Sequence, residues 1–161
     1  MTAKLQILDL PGAMLQRGFW LYVWTVKALD GKDWLYVGRT GDSSSPHAQS
    51  PYARMGQHLG GNLKSNALRR NLKQFGVDAN ACQSFKLSAY GPILPEETKM
   101  KGHIQSRDII AGLEKGLCDA LVSANYDLVN KVNSAKPIDD RLLQQVLAAF
   151  ALEFPKLKDR L

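Results

Sequence analysis

Hydrophobic positions change their spacing along the chain. From Phe19 to Leu29 aromatic, aliphatic and β-branched residues run together as FWLYVWTVKAL, and this reads as a strand. Asp30-Gly31 is a turn dipeptide. Trp34–Gly38, WLYVG, reads as a second strand, so the two predict an antiparallel hairpin. The tetrapeptide WLYV stands in both, at Trp20–Val23 and Trp34–Val37. Within each copy Trp and Tyr take one face while Leu and Val take the other. The loop decides whether Tyr22 and Tyr36 share a face. A two-residue Asp30-Gly31 loop puts them on opposite faces; a three-residue loop or a bulge puts them on one.

Elsewhere the spacing becomes helical. Leu10–Arg17 predicts a short helix stopped by Gly18. Ser50-Pro51 opens a helix, with Ser as N-cap and Pro at the first position. A Gly-Gly-Asn break at 60–62 precedes a second helix, LKSNALRRNLKQF, ended by Gly76. Cys82–Ala89 reads as a third strand closed by Gly91-Pro92, and EETKMKGH as a polar connection. A long helix is expected from Gln105 or Ser106 to about Ala124, with Ile110, Leu113, Leu117 and Leu121 along one buried face. Asp139 caps a last helix, with Leu143, Val146, Leu147 and Phe150 inward and a stop before Pro155. The fold class is α/β in the broad sense and α+β in the strict one: a small, mostly antiparallel three-stranded sheet packed by helices.

Composition narrows the function classes. The 161 residues carry a net charge of +6, which favours an anionic partner, nucleic acid first. Arg39, Arg54, Lys64, Arg69, Arg70 and Lys73 fall together, with no acidic residue between Asp42 and Asp78. For any one of them an ordinary solvated helix face is the simpler reading. No apolar run approaches a membrane span, and the N-terminus lacks the apolar core of a signal peptide. A cytoplasmic protein with two reduced thiols, Cys82 and Cys118, is therefore expected. His47, His58 and His103 lack zinc spacing. There is no phosphate-binding glycine loop and no Gly-x-Ser-x-Gly elbow.

A set of residues in order carries a resemblance. Leu21-Tyr22-Val23 ends one strand motif, and Tyr36-Val37-Gly38 forms another. Arg54 and His58 follow in YARMGQH, then Glu114 in GLEKGL and Asn130 in LVNKVN. This resembles the GIY-YIG nuclease family over about residues 19–133, with residues 1–18 as a helical lead-in and 134–161 as a helical extension. Trp20 stands where the family name has Gly, and the loop from Gly38 to Arg54 is long. Asn133 rivals Asn130 as the family asparagine.

The resemblance implies a DNA endonuclease that hydrolyses phosphodiesters of double-stranded or branched DNA with one Mg²⁺ or Mn²⁺. Glu114 would hold the ion, since Mg²⁺ keeps most of its waters and often takes one protein carboxylate. The helical spacing puts Glu114 at the border of the buried face, four positions after Ile110. Arg54 would clamp the phosphate oxygens, with His58 leaving the same helix face at i+4. Tyr22 would be the general base or orient the water, although a free phenol titrates near 10. Tyr36 would bond water or phosphate. Asn130 would brace the structure, and Gly38 would let the strand end where a phosphate or helix comes close.

Two rivals stand beside this reading. One is a nucleic-acid-binding module of the same fold that does not cut. The other is a protein-interaction domain whose charge is fortuitous. A homodimer is compatible with a site that cuts one strand, and no heptad marks its interface.

Overall fold

The computed structural model describes residues 3–43, 45–62 and 64–160. The hairpin consists of β1 (Phe19–Lys27) and β2 (Asp33–Arg39). Tyr22 lies opposite Gly38, and Trp24 opposite Tyr36. The loop is Leu29-Asp30-Gly31, closed by Ala28 N–H donating to the Lys32 carbonyl at 2.8 Å. Gly31 takes φ +85°, and Asp30 Oδ1 accepts from Lys32 N–H at 2.9 Å. The longer of the two possible loops is thus formed, and Tyr22 and Tyr36 share a face.

Strand β3 (Ser84–Leu94) pairs antiparallel with the other edge of β1, giving the order β2-β1-β3. The central strand is apolar on both faces and is covered on both. Phe19, Leu21 and Val23, with Leu35 and Val37, pack on α3 (Met100–Ser123) and α4 (Asp140–Phe150). Tyr22, Trp24 and Val26, with Trp34 and Tyr36, pack on α1 (Pro51–Leu59) and α2 (Ala67–Gln74). The fold is α+β, with a three-stranded antiparallel sheet between helices.

Several boundaries differ from the sequence reading. Leu10–Arg17 forms only a short 3₁₀ turn, Gly12–Leu15, with none of its residues buried. Strand β3 does not stop at Gly91-Pro92 but continues to Leu94. An edge strand tolerates proline, and the pairing register shifts between Phe19 and Leu21, where Gly91 backs onto the Trp20 ring. Helix α2 starts at Ala67, and Leu63, where the expected helix begins, lies outside the described residues; the Asn62 carbonyl accepts from Ser65 N–H, and its Oδ1 from Lys64 N–H. Helix α3 begins at Met100 rather than at Gln105 or Ser106, absorbing the second half, MKGH, of the expected polar connection. His103 accounts for this: it is buried on the Phe19 ring and bonded to the Ser43 carbonyl.

The capping expectations hold. Ser50 Oγ accepts from Ala53 N–H, and Asp139 Oδ1 from Leu142 N–H. Two glycines on α3 let the C-terminal segment come close. A Cβ on Gly112 would strike the Pro137 carbonyl, and one on Gly116 the Leu143 side chain. Both thiols are free, Cys118 buried and Cys82 half-buried. No helix among the described residues is long and apolar enough to cross a membrane.

Candidate active site

The site starts from a missing side chain. Gly38 faces Tyr22 across the hairpin, and a Cβ at Gly38 would lie 2.6 Å from the Tyr22 hydroxyl oxygen. The glycine therefore makes room for a tyrosine ring, not for a phosphate or a helix. Tyr22 folds over it, 1% exposed, and its hydroxyl meets His58 Nε2 at 2.6 Å. His58 is brought there by α1, which Ser50 and Pro51 start at the right turn. Its ring stands edge-on to both tyrosines, with centroids 5.5 Å from Tyr22 and 5.0 Å from Tyr36. His58 Nδ1 is buried with no hydrogen-bond partner among the described residues.

Arg54 lies one helical turn before His58, as the i,i+4 spacing requires. Its Nη2 pairs with Asp42 Oδ2 at 3.1 Å, and its Nη1 donates to Gln57 Oε1 at 2.8 Å. Burial and the Arg54 cation push His58 down to about 4, so the imidazole is neutral at pH 7. Burial raises Tyr22 well above an ordinary phenol, with Arg54 opposing. Tyr36 is pushed up to about 12, by burial first and then by the Glu114 carboxylate.

Glu114 sits on α3, and its Oε2 pairs with Arg39 Nε at 3.0 Å. Burial pushes its carboxyl up to about 7, against the pull of Arg39. It lines a cavity of about 280 Å³ with Arg39, Arg107, Asp108, Asn133 and Lys136. Mg²⁺ needs few protein ligands, and a carboxylate bordering an aqueous cavity suits it. Among the described residues no group of three or more His, Cys, Asp or Glu is placed to hold a metal. A cation here would rest on Glu114 and would compete with Arg39 for Oε2.

Asn130 is not at the cavity. Its Oδ1 accepts from Val37 N–H at 3.0 Å, and its Nδ2 donates to the Val37 carbonyl at 2.8 Å. Leu35 makes the same exchange one step earlier with backbone, through the Asp127 carbonyl and Val129 N–H. The Asn130 amide thus extends a short parallel ladder along the outer edge of β2. The bracing expectation suits this geometry, and the rival Asn133 is the asparagine beside Glu114.

The basic residues divide. Arg39 is held by Glu114 and the Arg107 carbonyl. Arg69 donates to the Leu59 carbonyl and to Asn80, tying α1 to the segment after α2. Lys64, Arg70 and Lys73 are exposed. Asp42 is the site residue that sequence reasoning missed. It is the only acidic residue between Asp33 and Asp78, which was the available signal. No protein-family model, curated protein or solved structure matches the chain.

Proposed function

We propose that the protein is a divalent-metal-dependent endonuclease of the GIY-YIG type that hydrolyses DNA phosphodiesters. One observation carries this reading: Tyr22 and Tyr36 meet His58, one helical turn from Arg54, and Arg39, next to Gly38 on the same strand, holds Glu114 at 3.0 Å.

Each residue then has a task. Arg54 leaves Asp42 for the non-bridging phosphate oxygens, where its planar fork fits two of them. That movement also admits water to the Tyr22 hydroxyl, which is otherwise closed off. The water oxygen bonds to phosphorus and the ester P–O bond to the leaving oxygen breaks. The water's proton passes to Tyr22 while Tyr22's own proton passes to His58 Nε2. No free phenolate has to form, which matters because burial disfavours it. A phosphate beside Arg54 offsets the cation that depresses His58, and so strengthens the acceptor. Tyr36, half-buried, orients the water. Mg²⁺ or Mn²⁺ on Glu114 would neutralise charge on the phosphoryl and leaving oxygens.

A second reading has an observation of its own. Arg39 already neutralises Glu114 at 3.0 Å, which suits a module of this fold that binds nucleic acid without cutting. Incubating the protein with supercoiled plasmid separates the two. Nicking that needs Mg²⁺ or Mn²⁺ and stops with EDTA supports the nuclease. Salt-sensitive binding with intact plasmid supports the module.

A further inference from the structure

The face that carries Tyr36 continues along β2 to Trp34, two residues away on the same side. Trp34 is half-buried, and its ring meets Phe75 with centroids 5.0 Å apart at 49°. Phe75 is 50% exposed at the end of α2, a large ring left in water. Lys32 Nζ stands 3.9 Å above the Trp34 ring. The aromatic face thus runs from Tyr36 to Trp34 and Phe75, with one cation, Lys32, over it.

We infer that Trp34 and Phe75 form a stacking platform for an unpaired base next to the phosphate held at Arg54. The inference rests on the nucleic-acid reading above and names its substrate class: DNA with unpaired nucleotides, which negatively supercoiled plasmid exposes, in preference to relaxed continuous duplex. A duplex keeps its bases stacked on each other and offers this surface only phosphates. A single strand offers a base face to Phe75, with a phosphate near Lys32, which would exchange Asp127 for it. Stacking of this kind is indifferent to base identity, because every base has a π-face. The +6 net charge supplies the attraction that brings the strand in.

Intrinsic fluorescence tests it without cleavage. Of the three tryptophans, Trp20 and Trp24 are buried, so Trp34 is the accessible reporter. The protein is titrated in EDTA with oligothymidylate, with an abasic strand of equal length, and with a duplex of equal length. Oligothymidylate is expected to quench the emission and to bind about tenfold tighter than the abasic strand. Phe75→Leu, which keeps an apolar side chain, is expected to remove that advantage while leaving thermal unfolding and abasic binding unchanged. Equal binding of all three probes, unchanged strand affinity in Phe75→Leu, or no binding overturns the inference. Cleavage is scored separately with Mg²⁺. Base-dependent binding without cutting leaves the platform and removes the nuclease. Cutting without base-dependent binding leaves the nuclease and removes the platform.

Discussion

The Tyr22 hydroxyl and His58 Nε2 meet at 2.6 Å inside a pocket closed by Gly38 behind and Tyr36 beside. Two residues 36 positions apart are thus joined by a buried hydrogen bond. Tyr22→Phe removes the hydroxyl and strands the imidazole. Chemical denaturation is expected to show a loss of about 1–2 kcal/mol. Nicking is expected to fall about a hundredfold or more, within the usual range for a lost proton-transfer group. Unchanged nicking would show that this hydroxyl takes no part.

Gly38→Ala tests the same pocket from the other strand. The new methyl group enters the space of the Tyr22 ring. Overpacking of about 1–3 kcal/mol is expected. The shift should also move the ring resonances of His58 in a two-dimensional NMR spectrum. If stability and spectrum both match wild type, the ring does not occupy that space.

Asn130→Ala removes both bonds to Val37 on the edge of β2. The expected cost is about 1–3 kcal/mol, with faster amide hydrogen exchange at Val37. Asn130→Asp keeps the acceptor but sets a carboxylate oxygen against the Val37 carbonyl, so at neutral pH it should be no more stable than Asn130→Ala. Protection at Val37 that survives Asn130→Ala would rule the clamp out.

His58 gives a pH signature. Its folded value, about 4, lies below the ordinary 6.5, so the unfolded chain binds more protons between these two. The neutral-ring stabilisation is complete above about pH 6.5 and is lost as pH falls through about 4. The full loss is up to about 3 kcal/mol. Denaturation from pH 7 to pH 4 should show this slope in wild type and a shallower one in His58→Gln. Parallel slopes in the two proteins would contradict the assignment.

The sheet, the caps and the inward faces of α3 and α4 were legible because periodicity and turn chemistry act over a few residues. Ser50 and Asp139 cap where their types predict. The start of α3 was not legible, because His103 and Ser43 meet only in the folded chain. Nor was the hairpin register: Asp30-Gly31 fits two loops, and the shared face of Tyr22 and Tyr36 follows from the one formed. Within the site, Arg54 and His58 were readable as an i,i+4 pair. The Asp42 partner of Arg54 and the Arg39 partner of Glu114 were not, since both are through-space ion pairs. Gly38 was noticed for the wrong reason: its empty side is filled by Tyr22 from the facing strand.

Glu114 separates nuclease from binding module, because in the module its carboxylate would serve only to hold Arg39. Supercoiled plasmid is incubated at pH 8 with Mn²⁺ and either wild type or Glu114→Ala. That pH is above the carboxyl's value of about 7, so the group is ionised even before a cation binds. Wild type is expected to nick, and Glu114→Ala, still folded and still binding DNA, to nick at least about a hundredfold more slowly. Equal nicking by the two proteins, or no nicking by wild type, would contradict the nuclease reading.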